Sequence, residues 1–358
     1  MSFAIAAAGT GGHVFPGLAV GEALVAGGVE RGDVLFVGGS RLEAEVYPQA
    51  GFPFLGVEIR GLQRRMTKAN FGIARVVARA TGKIAETYRE RNTQVVLGMG
   101  GYVTIPAGWA AARAGGALFL HEQNAEAGLA NRLMARRSRA VFTSFPSTAH
   151  IPGGNWTGNP IRTALAAFDR AALRTEALRR YELDPKIPVV GMFGGSLGAG
   201  VINRTIEEMM RANRSLDFQV VHIAGSTAAP ALLEAAAGHP RWRVIGFEEE
   251  MQWFYAASDL VVARAGGAVA ELTATATPSI LIPGGFGSGG HQAANAGALA
   301  EAGAALVVEE DHMEAMADLI AGLVEDRTRL AQMADATRTL ARPDAAAEIA
   351  RHLLSAHD

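Results

Sequence analysis

The run Phe3-Ala4-Ile5-Ala6-Ala7-Ala8 leads directly into Gly9-Thr10-Gly11-Gly12-His13, and residues 14–26 then carry apolar side chains at helical spacing. An apolar run, a glycine-rich turn and a helical pattern read as strand, tight loop and helix. Glycines let the backbone come close to a bound anion, and the open N–H groups of a helix start attract it. His13, at the lip of the loop, carries one of the few side chains that exchange a proton near neutral pH. Taken alone, the loop serves equally well as a structural turn whose histidine packs or caps.

Outward from this unit the same alternation continues. Apolar runs at 34–37, 54–57, 95–98, 117–121 and 141–143 predict strands, with helical patterns at 71–89 and 105–113. Turn formers at Ile151-Pro152-Gly153-Gly154 and Gly158-Asn159-Pro160 interrupt the pattern. It restarts with strands expected at 189–193, 220–224, 244–245, 260–263, 280–282 and 305–308, then an alanine-rich helical tail from about 313. Strands alternating with helices predict parallel sheets covered on both faces. The fold class expected is α/β, with two Rossmann-like doubly wound domains facing each other across a cleft.

Composition agrees with this. A chain of 358 residues exceeds one ordinary core, and 49% hydrophobic against 19% charged residues suffices to fill two. A net charge of -2 gives no global case for nucleic-acid binding. The absence of cysteine excludes disulfides, thiolate zinc sites and cysteine nucleophiles. No secretory-signal pattern is expected at the N-terminus, and the uncharged stretch 102–112 is too short to span a bilayer.

Ligands of open parallel sheets sit beyond the carboxyl ends of the strands. There this chain places Gly100-Gly101-Tyr102, His121-Glu122-Gln123-Asn124, Gly194-Gly195-Ser196-Leu197-Gly198-Ala199, Arg264-Ala265-Gly266-Gly267 and, after 280–282, His291-Gln292. The loop 194–199 lets phosphate oxygens reach backbone N–H groups, with Ser196 adding a hydroxyl. It also fits G-x-S-x-G, and Ser196, Asp259 and His291 occur in hydrolase triad order. Asp259 precedes its strand, however, and should lie at the amino edge. Metal binding by His121 and Glu122 is weak, since neighbours on an extended segment face opposite ways. Asn124 suits recognition of hydroxyls or an amide, or else caps a helix at 125–136. Arg162 offers fixed donors for a diphosphate, or is a surface arginine. Glu271, past a glycine turn, suits a ribose diol or simply complements a helix dipole. The segment 247–251 is expected to begin another helix.

Basic residues concentrate between Arg60 and Arg91, with Leu62, Met66 and Phe71 interleaved. Apolar and cationic groups side by side fit an anionic membrane surface. A solvated helix face, with Ile73, Val76, Val77, Ala80 and Ile84 as its core stripe, is the alternative.

Together GTGGH, GGYVTIPA, HEQNAEAGLANR, GNPIR, GGSLGA, HIAG, FEEEM, YAASDLVVARAG and HQAANA, in that order, resemble the MurG family. These are bacterial enzymes that transfer N-acetylglucosamine (GlcNAc) from its UDP ester to a lipid-linked muramyl-pentapeptide. The resemblance implies a GT-B fold with domains at 1–160 and 161–341, and a C-terminal helix, 342–358, packing back on the first. It implies inverting transfer to the muramyl 4-hydroxyl of lipid I, giving lipid II, with no cofactor and no essential metal. His13 would be the base. Thr10, Gly11, Gly12, Asn124, Arg162, Ser196, Glu248, Gly267, Ala268, Glu271, His291 and Gln292 would hold the donor, and Tyr102 and Glu122 would lie on the acceptor side. Implied partners are UDP-GlcNAc, lipid I, an anionic membrane and cell-wall synthesis proteins, and the expected location is the cytoplasmic face of the plasma membrane.

Three departures bear on the donor site. Ser288-Gly289-Gly290 stand where the family has acidic residues, the stretch 264–271 is one residue short and lacks a threonine, and Ala8 replaces a common glycine. The alternatives are a diacylglycerol glycosyltransferase, disfavoured by HEQN, and a UDP-GlcNAc 2-epimerase, disfavoured by GTGGH and the basic patch. A catalytically silent nucleotide-sugar subunit is a third, and it would tolerate loss of His13.

Overall fold

A computed structural model of the chain describes residues 2–58, 72–194, 200–212, 216–284 and 290–356. It divides into two compact units, Met1–Arg162 with Arg342–Asp358, and Thr163–Ala341.

The first unit contains β1 (Ser2–Ala6), β2 (Val34–Gly38), β3 (Phe54–Gly56), β4 (Thr93–Gly98), β5 (Ala117–Glu122), β6 (Ala140–Thr143) and β7 (Asn155–Trp156). Their order in the sheet is β3-β2-β1-β4-β5-β6-β7, and every ladder is parallel. Its helices are α1 (Gly11–Ala26), α2 (Glu43–Gln49), α3 (Ile73–Glu90), α4 (Thr104–Ala114) and α5 (Leu129–Met134). Side chains alternate between the two faces of a strand, and both faces are buried here. Phe3 and Ile5 join Val34, Phe36 and Leu97 under Val14, Val20 and Leu24 of α1, with Ile349 and Leu353 of the C-terminal helix Ala345–Ser355. Ala4 and Ala6 face the other way, with Leu35, Val37 and Val96, under Ile84 and Tyr88 of α3 and Ala107 and Ala111 of α4. Glycine in α1 permits close approach: a Cβ on Gly21 would fall 2.7 Å from the Phe36 ring.

The second unit contains β8 (Val189–Phe193), β9 (Gln219–Ile223), β10 (Trp242–Ile245), β11 (Leu260–Ala263), β12 (Ser279–Leu281) and β13 (Ala305–Val307), ordered β10-β9-β8-β11-β12-β13 and again parallel. Its helices are α6 (Thr163–Ala166), α7 (Arg170–Arg180), α8 (Gly200–Ala212), α9 (Ala229–Ala236), α10 (Met251–Ala257), α11 (Ala268–Ala274), α12 (His291–Glu301), α13 (Met316–Glu325) and α14 (Arg327–Thr339). Val190 and Met192 pack with Ile202, Ile206 and Met210 of α8 and with Ile320 and Leu323 of α13. Two arginines of α7 fasten the back of this sheet. Arg174 forks onto both carboxylate oxygens of Asp259 at 3.0 and 2.9 Å, and Arg170 donates to the Tyr255 carbonyl at 2.6 Å and to Thr277 Oγ1 at 2.7 Å. Burial, then repulsion from Arg174, brings the Arg170 guanidinium down to about 10.

Two local expectations change. The short strand β7 falls in the segment read as a break. The helix expected over 125–136 shortens to α5 and a 3-10 turn, Ala135–Arg137, because the preceding backbone is claimed elsewhere. The amides of Asn124 and Gly128 go to Glu122, the Ala127 amide goes to the Ala149 carbonyl, and the Ala149 amide goes to the Ala125 carbonyl, around an isolated bridge between Glu126 and Ala149. Gly128, not Asn124, is the N-cap.

Candidate functional site

The order of each sheet reverses once, between β1 and β4 in the first unit and between β8 and β11 in the second. Such a switch point opens a crevice at the carboxyl edge, where ligands of doubly wound sheets bind. In the first unit the loops at that crevice are Gly9–His13 and Gly100–Tyr102. In the second they are the loop after β8, which lies outside the described residues with Ser196, and Arg264–Gly267.

Thr10 occupies the N-cap position of α1 and is exposed, with no side-chain cap. The glycine pair forms the first turn, so Gly11 and Gly12 present first-turn N–H groups that lack intrahelical partners. His13 follows on the same turn, half-buried, with its Nδ1 3.4 Å from Thr10 Oγ1. Its ring lies against Gly100, whose φ is +83°; a Cβ there would come within 3.2 Å of His13 Nε2 and 3.4 Å of Asn131 Nδ2. Thr104 Oγ1 holds the Gly100 carbonyl at 2.8 Å. Tyr102 stands beside the same loop and is half-buried; burial first, then Glu43, raises its hydroxyl above the usual tyrosine range, while Arg41 opposes the shift.

Glu122, expected on the acceptor side, is 1% exposed. One oxygen accepts from the backbone and side-chain nitrogens of Asn124 at 3.1 and 2.9 Å. The other accepts from Gly128 N at 3.0 Å and Asn131 Nδ2 at 2.8 Å. A carboxylate so occupied is a brace that fixes the orientation of Asn124. Asn131 also donates to the His121 carbonyl at 2.9 Å, completing a chain of contacts from His13 through Gly100 to Asn124. His121 is fully buried and bonds the Gly158 carbonyl through Nε2 at 3.0 Å; burial brings its pKa down to about 4. Arg162 places its guanidinium over the Phe15 ring of α1, 5.6 Å from the centroid.

In the second unit Gly267 and Ala268 open α11, and Glu271 in its first turn accepts from Tyr255 Oη at 2.9 Å. Glu248 is nearly buried, receiving Tyr181 Oη at 2.7 Å and Arg180 at 3.4 Å. Its side chain is therefore spent within the unit, and its contribution to a ligand would come from the backbone. His291 and Gln292 start α12, and Gln292 Oε1 takes the Gly284 amide at 2.8 Å. Asn295, one turn on, holds the Ala265 carbonyl at 3.0 Å, so α12 secures the loops after both β11 and β12. Arg264 pairs with Glu310 and donates to the Ile282 carbonyl.

Asp259 also accepts the amide of Val189, the first residue of β8, at 2.8 Å. It therefore sits at the amino edge of the sheet, beside the first residue of β8 and at the opposite end of that strand from Phe193, which disfavours the hydrolase triad. Among the described residues no three histidine, aspartate or glutamate side chains converge as a metal set. Sequence reading missed Glu43, Asn131 and Arg174; only Asn131, inside GLANR, stood in a quoted motif.

Models of the glycosyltransferase family 28 N-terminal and C-terminal domains match residues 3–143 and 189–349. A UDP-N-acetylglucosamine–N-acetylmuramyl-(pentapeptide) pyrophosphoryl-undecaprenol N-acetylglucosamine transferase from Halorhodospira halophila is 41% identical over 354 residues, 97% of this chain and 96% of the relative. The equivalent protein of Burkholderia vietnamiensis is 38% identical, over 97% and 94%. A crystal structure of Acinetobacter baumannii MurG superposes with a TM-score of 0.79 at 26% identity, covering 99% of this chain and 100% of that one. The Neisseria meningitidis UDP-GlcNAc 2-epimerase, at 12% identity and a TM-score of 0.69, shares the fold alone.

Proposed function

The chain belongs to the MurG family, with the two Rossmann-like domains of the GT-B fold, and from that premise we propose that it transfers GlcNAc from UDP-GlcNAc to lipid I, giving lipid II. The observation that carries this reading is His13 at the sheet's switch point, its ring against Gly100 of the neighbouring loop, where Asn131 also packs and is held by Glu122, in a chain 41% identical over nearly its whole length to such a transferase.

His13 accepts the proton of the muramyl 4-hydroxyl as that oxygen attacks the anomeric carbon opposite UDP. The carbon inverts, the C–O bond to the diphosphate breaks, and the electron pair leaves with UDP. Arg162, Ser196 and backbone N–H groups stabilise the leaving diphosphate, with no essential metal. Glu271 holds the ribose diol, the backbone at Glu248 reads uracil, and Gly267 and Ala268 pass close to the nucleotide. Asn124, His291 and Gln292 meet the sugar hydroxyls. Tyr102 lies on the acceptor side.

Membrane attachment belongs to the same reading. Among the described residues no helix is long and apolar enough to cross a membrane. Arg75 and Arg79 are exposed on α3, and Trp109 on α4 is 41% exposed with Arg137 stacked 4.3 Å from its ring centroid. Leu129 and Leu133 on α5 are exposed as well. The remaining basic cluster from Arg60 to Lys68 lies outside the described residues, and Arg91 is occupied by the Gly32 carbonyl. Each well-placed cation contributes about 1 kcal/mol at an anionic bilayer, which favours the cytoplasmic leaflet.

The test is UDP release from UDP-GlcNAc with and without a lipid I analogue. The proposal expects release only with acceptor; acceptor-independent conversion to UDP-ManNAc contradicts it.

A further inference from the structure

The loop that carries His13 is held from outside by α2. Glu43, the first residue of that helix, is fully buried and reaches two glycine loops at once. Its Oε1 accepts the Gly39 amide at 2.9 Å and its Oε2 the Gly9 amide at 3.3 Å. One turn later Tyr47, also fully buried, donates its hydroxyl to the Val14 carbonyl at 3.1 Å. Residues four apart share one helical face, so Glu43 and Tyr47 form a pair of ties. Their partners Gly9 and Val14 bracket the segment that ends in His13.

The packing around these ties allows little slack. Tyr47 stacks on Phe36 of β2 with ring centroids 3.9 Å apart, which locks α2 to the sheet. A Cβ on Gly39 would fall 2.8 Å from Glu43 Oε1, and one on Gly38 would fall 2.7 Å from its Cγ. Gly9, at φ +106°, adopts a conformation that side-chain-bearing residues avoid, so its amide direction is set by the loop and its tie.

We propose that α2 is a clamp that positions His13 through Glu43 and Tyr47, both acting as positioning residues. This rests on the reading of His13 as the base. The clamp converts rigid-body packing of α2 into a fixed imidazole direction, and displacement of a reacting group by about 1 Å can cost on the order of 100-fold in rate.

The experiment compares Glu43→Gln, Tyr47→Phe and the double variant in the full-length protein. It measures kcat with the lipid I analogue, UDP affinity by calorimetry, and the His13 ring resonances by NMR, assigned with His13→Asn. Each single variant should lower kcat about tenfold or more, shift the His13 resonances and leave UDP affinity unchanged. The double variant should lose little beyond the worse single one, since both ties serve one element. Tyr47→Phe removes one oxygen and keeps the stacked ring, so it carries the test if Glu43→Gln does not fold. Unchanged His13 resonances in the folded variants would overturn the clamp, whatever the melting temperature does. Shifted resonances with unchanged kcat would uphold the clamp and instead remove His13 as the base.

Discussion

His13, the proposed base, and Glu122, the buried carboxylate that holds Asn131 and Asn124, each make a prediction at the scale of a single residue. His13→Ala should retain UDP-GlcNAc binding and lose roughly 10²–10⁴-fold in kcat, the range for a positioned base; a folded variant with wild-type kcat removes that role. Glu122→Gln keeps the volume but sets an NH2 where the buried brace needs an acceptor for Asn124, Gly128 or Asn131. It should cost about 2–3 kcal/mol in denaturant unfolding, because a buried donor loses its charged partner. Two buried histidines supply a pH dependence. Burial holds both His121 and His222 down to about 4, from 6.5. As pH falls from 6.5 to 4 the unfolded chain takes up protons that the folded chain refuses, so stability declines through that window and levels below it. Each histidine contributes roughly 3 kcal/mol to that decline. His222→Gln, which keeps a donor for Asn203, should flatten the slope; an unchanged slope would contradict the assignment.

At the scale of elements, α3 shows how far a pattern can be read. Its buried face, Ala80, Ile84, Ala85 and Tyr88, follows helical spacing, and Arg75 and Arg79 lie outside it. Spacing alone does not say whether that outer face meets water or lipid. Charge reversal at Arg75 and Arg79 should weaken binding to anionic liposomes, and unchanged binding would return the face to solvent. The strands were legible because both faces of a parallel sheet are buried, leaving unbroken apolar runs such as Val189–Phe193. The shortened α5 was not, because its start depends on Glu122 taking amides that a helix would have used. Glu43 with Gly9 and Arg174 with Asp259 are 34 and 85 residues apart, and no local pattern announces such ties.

Across the whole molecule, the alternation of strand, loop and helix anticipated two parallel sheets, and the glycine loops pointed to their carboxyl edges. Which loops stand at a switch point depends on strand order, which periodicity does not encode; the sheets put Gly9–His13 at one and Arg264–Gly267 at the other. The central claim is group transfer with inversion, and product structure tests it most directly. Incubated with UDP-GlcNAc and a lipid I analogue, the protein should yield an acceptor carrying one added GlcNAc, β-linked to the muramyl 4-oxygen by NMR, with one UDP released per transfer. An α-linked product, or UDP-ManNAc formed without acceptor, would contradict the account.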